Sequence, residues 1–414
     1  MLEFFMSKYR FRYAINQMLG KRLIVWSAGS LLLFSSCATT PINQPSSKDI
    51  FRIALFNIWE MSTEKLTNID SQGLGQEEQL SAAAQIITEI NPDILVINEI
   101  DHDIEALKAG DDLDLNLRRF LDAYLPQSEY PYTYIAPCNT GFLAGKDFDN
   151  NGMVATDEDR GSRDHGGDCY GYGAYPGQYS MAILSRYPLN LAAAKTFQHF
   201  LWKDLPDNLL PRDWYAEDEI EVFRLSSKSH WDVPLVMGEK EIHLLVSHPT
   251  PPVFDGDEDR NGRRNYDEIK MWTHYIDGDS VLIDDQGNRG GLARDESFII
   301  LGDLNAAPTG DTVVTGQKSI DQLLKHPKIQ DCANLLISEG ALNGRTPGPP
   351  DYVENRTSGK GKWGMRIDHI LPSKNLQVVR GGVYWPDKTR DPEGAARVQK
   401  ASDHRLIWLD IMVE

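Results

Sequence analysis

Short apolar runs recur along the chain, and most of them close on a polar residue. Residues 51–58 (FRIALFNI) and 93–98 (DILVIN) are β-prone and too short for an ordinary helix, so they predict strands. Between them SAAAQIITEI has helical spacing, and Asn91-Pro92 predicts its end, because a residue before proline is driven out of the helical region. Further strands are predicted at 180–185 (SMAILS), 242–247 (IHLLVS), 297–302 (SFIILG), 366–371 (RIDHIL) and 405–412 (RLIWLDIM). Strands dominate, and no glycine-rich phosphate loop follows one, which argues against dinucleotide-binding and P-loop folds. No repeat unit recurs, so a solenoid or propeller is disfavoured.

The connections 138–178, 198–235, 250–292 and 340–363 are long. Structureless loops beyond about 15 residues are uncommon in compact domains unless they are functional or held together. Two of these carry a pattern that could hold them. Asp147, Asp149, Asn151 and Gly152, closed by Glu158, fit the twelve-residue calcium loop; Asp257, Asp259, Asn261 and Gly262, closed by Glu268, fit it again. Alternate oxygens supply part of the shell, glycine permits the turn, and the last glutamate binds bidentately. Ca²⁺ is expected at both, in a stabilising role; the bland alternative is a solvated acidic turn.

The N-terminal pattern differs from the rest. Lys21 and Arg22 precede LIVWSAGSLLLF, which ends at Ser35-Ser36-Cys37. A basic start, a short apolar stretch and small exit residues form an export signal. Residues 1–37 are therefore expected to direct export, with Cys37 as a lipid-anchored N-terminus at the membrane. The apolar run is short of the roughly 20 residues that a span needs. Residues 38–49 read as a flexible tether, and 50–414 as the folded domain. An extracytoplasmic site permits a disulfide, expected between Cys138 and Cys169, with Cys332 a small buried residue.

Charge narrows the partners. The net charge is −19, and with Lys8, Arg10, Arg12, Lys21 and Arg22 all in the leader, the domain itself is more acidic still. Such a surface repels polyanions at long range, which disfavours tight binding of long nucleic acids.

The polar residues closing the apolar runs carry the chemistry. Asn57 follows FRIALF, Glu99 follows DILVIN, His248 follows IHLLVS, and Asp303 and Asn305 follow SFIILG; Asp403 and His404 precede RLIWLDI. Singly, each is an ordinary turn or strand-end residue. As a set, the strings LFNIW, VINEID, VSHPTPP, ILGDLNAAP, RIDHILPS and ASDHRLIW resemble the endonuclease/exonuclease/phosphatase superfamily across nearly all of 51–414. The resemblance implies an α+β fold: a four-layer α/β sandwich, with two mostly antiparallel mixed sheets packed face to face and helices outside. It also implies a divalent-metal-dependent phosphoester hydrolase, with Mg²⁺ or Mn²⁺ held by Glu99, Asn57 and Asp403.

By the same resemblance Asp303 activates the attacking water, and Asn305 and His248 donate to phosphate oxygens. His404 acts as charged clamp or base, and Asp368 pairs with a histidine. Trp59 stands where several members carry a second acidic group, which favours one metal over two. Tyr179 is read as a packed aromatic. The inserts 138–178 and 250–292 are expected to wall the cleft and favour small phosphoesters over DNA or RNA. A nuclease is the alternative reading, a calcium-stabilised binding scaffold the contrasting one, and a monomer the expected state.

Overall fold

The apolar runs become two sheets whose central strands, such as Ile94–Ile100, Ser180–Ser185 and Ser297–Asp303, are buried on both faces, so their residues are apolar almost without alternation. In the computed structural model, which describes residues 50–310, 313, 315–343, 355–358 and 364–413, the first sheet has six strands. They are β1 (Ile50–Met61), β2 (Ile94–Ile100), β3 (Tyr132–Tyr134), β4 (Ser180–Ser185), β10 (Gln377–Val383) and β11 (Ile407–Met412), in the order β10-β11-β1-β2-β4-β3. The second sheet runs β5-β6-β7-β8-β9, built from β5 (Lys195–Thr196), β6 (His230–Met237), β7 (Lys240–Ser247), β8 (Ser297–Asp303) and β9 (Asp368–Pro372).

Each sheet holds one parallel pair, β1 with β2 and β7 with β8; the other pairings are antiparallel. A parallel pair needs a crossover. Helix α1 (Glu78–Ile90) lies in the first, and it ends at Asn91 in the left-handed conformation, with the Asn91 N–H bonded to the Ile87 carbonyl. In the second lies a helix, α3 (Arg260–Ile276), whose first half overlaps the stretch that read as a calcium loop. Helices α2 (Leu115–Tyr124) and α4 (Pro392–Ala401) complete the outer layer over the first sheet.

Four layers result. Phe51, Ile53, Leu55, Val96 and Ile183 meet Trp231, Val233, Leu244, Val246, Ile299 and Leu301 between the sheets. Ala54, Phe56, Leu95 and Ile97 face outward onto α1, α2 and α4. On the opposite side Leu245, Phe298 and Ile300 pack against Trp272 and Tyr275 of α3 and against Phe148, Trp202 and Phe223 from the long connections. The inserts are thus held by their own aromatic core. All described residues belong to one compact unit, and none of the described helices is long and apolar enough to cross a membrane.

Two expectations are corrected here. Cys138 and Cys169 are not joined: both thiols are free and buried, with Cys138 Sγ near Thr140 Oγ1 at 3.0 Å and Cys169 Sγ donating to the His165 carbonyl. Strand β6 was hidden in the connection 198–235 because His230, Asp232 and Pro234 interrupt its apolar residues. The export segment, Cys37, the tether and most of 344–363 lie outside the described residues.

Candidate active site

Strand direction brings the polar residues together. Strands β1, β2, β7 and β8 end at one edge of the sandwich, and their antiparallel neighbours β4, β6, β9 and β11 begin there. The register pairs Asp303 with Asp368 and His230 with Ser247. Asn57 and Glu99 arrive from the first sheet, and Asp303 and the residue after β7, His248, from the second. The amide nitrogen of Asn57 joins them, donating to Glu99 Oε1 at 2.9 Å and to Asp303 Oδ2 at 3.1 Å. A second tie between sheets runs from the Asp303 N–H to Asn98 Oδ1 at 3.0 Å.

Local backbone strain aims these groups. Trp59, Glu60, Glu99, Tyr179 and Asn305 all have positive φ, five of the eleven such non-glycine residues described. Each such conformation costs on the order of 1–3 kcal/mol and persists only where neighbours enforce it. The enforcement is visible: Trp59 N donates to Asn57 Oδ1 at 3.0 Å, Glu60 N to Glu99 Oε2 at 2.9 Å, and Asn305 N to Asp303 Oδ1 at 3.0 Å. Register shifts in β1 and β2 accompany them, as expected where bulges redirect side chains.

Two ligand groups share Asp303. Glu99, His248 and Asp303 can bring one atom each within 4.8 Å of one another, and so can Asp303, Asp368 and His404. His248 Nε2 lies 3.6 Å from Asp303 Oδ2, and His404 Nε2 lies 3.7 Å from the same oxygen. Asp368 accepts from His404 Nδ1 at 2.9 Å. Burial works to lower His404, but Asp368 and Asp303 outweigh it and raise its pKa to about 10. His404 is therefore a cation at neutral pH. Burial drives His248 well below its usual value, helped by the charges of Lys228 and His404, so it is a neutral imidazole. Burial, opposed by His404 and reinforced by Asp368, lifts Asp303 to about 7.

Most of the remaining assigned residues are held by neighbours of their own. Asn57 turns its amide nitrogen toward both Glu99 and Asp303, bridging the two carboxylates, while its Oδ1 accepts from Trp59 N. Asp368, expected to pair with a histidine, bonds His404; Asp403 belongs to neither group, and its buried Oδ1 has no hydrogen-bond partner among the described residues. Asn305 Nδ2 donates to the Pro249 carbonyl at 3.0 Å. Glu60 restores an acidic group one residue after Trp59, and Tyr179 Oη donates to Glu60 Oε1 at 3.3 Å.

The loop expected to bind calcium at 257–268 is overturned. Asp259 caps α3, Asn261 and Glu268 are helical, and Glu268 is fully buried, so a twelve-residue shell with Asp257 cannot form. In the first loop Asp147 and Asp149 group with Asp168, not with Glu158, which sits in an exposed 3₁₀ turn. Asn151 accepts from Met153 N at 2.8 Å.

Lys228 escaped the sequence reading because it lies in the polar string SSKS. It is 6% exposed, and burial lowers its pKa against the opposing charges of Glu268, Glu99 and Asp303. The 138–178 insert docks beside Glu99: Tyr175 Oη donates to Asp101, and His102 N to the Gly177 carbonyl at 2.8 Å. A Cβ at Gly177 would stand 2.8 Å from the His102 Cβ, and its φ of +85° also requires glycine.

Residues 54–404 match the endonuclease/exonuclease/phosphatase family, a span that takes in Asn57, Glu99, His248, Asp303, Asp368 and His404. The chain belongs to that family. Its members are divalent-metal-dependent hydrolases of phosphoesters, and this chain is a phosphoester hydrolase. An endonuclease/exonuclease/phosphatase from Beutenbergia cavernae is similar in structure, at 16% identity over 88% of this chain and 72% of that one, with a TM-score of 0.48. A mannosyl-6-phosphatase from Bacteroides thetaiotaomicron is similar at 12% identity over 88% and 100%, with a TM-score of 0.43. Truncated Caenorhabditis elegans TDP2 is similar at 14% over 88% and 98%, with a TM-score of 0.40. No curated protein sequence matches the chain.

Proposed function

We propose that the protein hydrolyses small phosphoesters, as a metal-dependent enzyme acting outside the cytoplasm. The observation that carries this reading is the single edge where Glu99, Asp303, His248 and the His404–Asp368 pair meet. A phosphoester is anionic and repels hydroxide, so hydrolysis needs positive charge at the phosphate and a base at the water. His404, held charged by Asp368, and Lys228 supply the charge. Asp303, near neutrality in pKa, supplies the base. Neutral His248 offers an N–H to a phosphate or leaving-group oxygen.

The residues present suit a divalent cation. Glu99 and Asp303 are hard oxygen donors close together, and the buried Asp403 Oδ1 lacks any other partner. A bound Mg²⁺ or Mn²⁺ would offset phosphate charge and make the water more acidic. The acidic surface and the export-type leader support small substrates encountered outside the cell rather than long nucleic acids.

Bis-p-nitrophenyl phosphate, p-nitrophenyl phosphate and supercoiled plasmid, each assayed with Mg²⁺ and then EDTA, test the reading. Hydrolysis of a nitrophenyl ester that EDTA abolishes, with plasmid left intact, is the expected pattern. Rapid plasmid nicking beside inert nitrophenyl esters would replace it with a nuclease. Lys228→Met is expected to weaken inorganic phosphate binding about 10- to 100-fold, the worth of a charge-assisted hydrogen bond. Calorimetry showing unchanged affinity would remove Lys228 from the site.

A further inference from the structure

A crossover helix is expected to bury an apolar stripe against its sheet, and Ile269, Trp272 and Ile276 of α3 do so. Its early turns do not fit that role. Asn265 and Glu268 are both 0% exposed and stand three residues apart on one face. Burying an amide and a carboxylate is costly unless every polar atom is met.

Apart from Asn265 Oδ1, which has no hydrogen-bond partner among the described residues, their polar atoms are met by main-chain groups of the active-site turns and one hydroxyl. Glu268 Oε1 accepts from Ser227 N at 2.7 Å and Ser227 Oγ at 2.9 Å, and Glu268 Oε2 accepts from Thr250 N at 2.6 Å. Asn265 Nδ2 donates to the Thr250 carbonyl at 2.8 Å and the Leu304 carbonyl at 2.9 Å. Thr250 is therefore gripped at both its N–H and its C=O. Ser227 adjoins Lys228, Thr250 closes the turn begun by His248, and Leu304 separates Asp303 from Asn305. The pair touches the three turns of the second sheet that carry Lys228, His248 and Asp303, and Asn305 adds a bond within the same cluster through Pro249.

We propose that Asn265 and Glu268 are a positioning pair, which fixes the spacing of Lys228, His248 and Asp303 by holding the turns that carry them. This rests on the hydrolytic reading above and deepens it. Neither residue reaches the reacting atoms; each acts through backbone it holds. Beside the site Lys228 is buried, which lowers its pKa, and Glu268 is the largest of the charges that oppose that shift. Glu268→Gln places an amide N–H against the Thr250 or Ser227 donors, and Asn265→Ala leaves two buried carbonyls unmet.

Kinetics on bis-p-nitrophenyl phosphate, calorimetry with inorganic phosphate and Mg²⁺, and thermal midpoints together test the pair. Glu268→Gln and Asn265→Ala are each expected to lower kcat about 10- to 100-fold while folded, the order of loss that a displacement of about 1 Å produces. Phosphate affinity should fall with it. The double variant should lose little more than the worse single one, since both act through Thr250, whereas independent damage adds. Met271→Ala, in the same helix but among apolar side chains, should lower the thermal midpoint and leave kcat intact. Should either variant unfold, Ser227→Ala removes one bond alone and should still cost several-fold in kcat. Wild-type kcat and phosphate affinity in the folded pair variants would overturn the proposal, as would losses that track the thermal midpoint as in Met271→Ala. Failure of the wild type to hydrolyse any phosphoester would sink the hydrolytic reading instead, and the phosphate titration would then decide the pair.

Discussion

Asp303→Asn should reduce kcat about 10²- to 10⁴-fold, the contribution of a positioned general base, without unfolding the protein. The replacement is nearly isosteric, and the position is 2% exposed, so shape is preserved. What changes is the chemistry around one oxygen. Oδ2 receives Asn57 Nδ2 at 3.1 Å and faces the Nε2 atoms of His248 and His404. An amide there cannot accept the proton of a water. It also removes one of the three carboxylates, with Asp368 and Asp403, that raise the pKa of His404. The decisive comparison is steady-state kinetics with Mg²⁺ against the thermal midpoint of the same preparation. A loss under tenfold in a folded variant would mean that another group takes the proton.

The second large effect concerns Asp368, which reaches the substrate only through His404. In the folded protein the His404 pKa is raised to about 10, with Asp368 the largest factor opposing burial. The charged pair therefore stabilises the fold fully below the ordinary histidine value of about 6.5. That contribution is lost as pH climbs from there through about 10. Asp368→Asn should return the imidazole toward its usual range or below, since burial then meets only Asp303 and Asp403. At pH 8 kcat should fall about 10²- to 10⁴-fold, as when a buried carboxylate partner of a catalytic histidine is neutralised. The alkaline limb of the pH–rate profile should move to lower pH. Imidazole resonances followed by NMR titration would report the same shift directly. An alkaline limb that overlays the wild type would show that His404 owes its charge to something else.

The histidine's partner illustrates how far reading the chain could go. The resemblance implied that Asp368 pairs with a histidine but not which one; the bond goes to His404, thirty-odd positions later, although Asp403 is the acid adjoining it. Adjacent residues on an extended segment point to opposite sides, so the neighbour in sequence is rarely the neighbour in space. Glu60 shows the same limit. Its carboxylate meets Tyr179, and its N–H meets Glu99, only because two successive left-handed residues, Trp59 and Glu60, turn β1 within its register shift. Nothing in the string IWEM announces such a turn.

What the amino-acid order determined by itself was the set of strands and the polar residues at their ends. Each buried strand needs several apolar residues in succession, and a polar group just beyond them can sit only at a sheet edge. That made Asn57, Glu99, His248, Asp303 and His404 legible as a group. Only the tertiary structure decided which polar groups of the connections join them. The acidic string at 257–268 satisfies a calcium loop and a helix start equally well, and packing against the second sheet chose the helix. Lys228 and Glu268 lie in stretches whose composition reads as solvated surface. They are buried because the long connections fold back over the edge of the sheet, and contacts between distant segments leave no local mark on the chain.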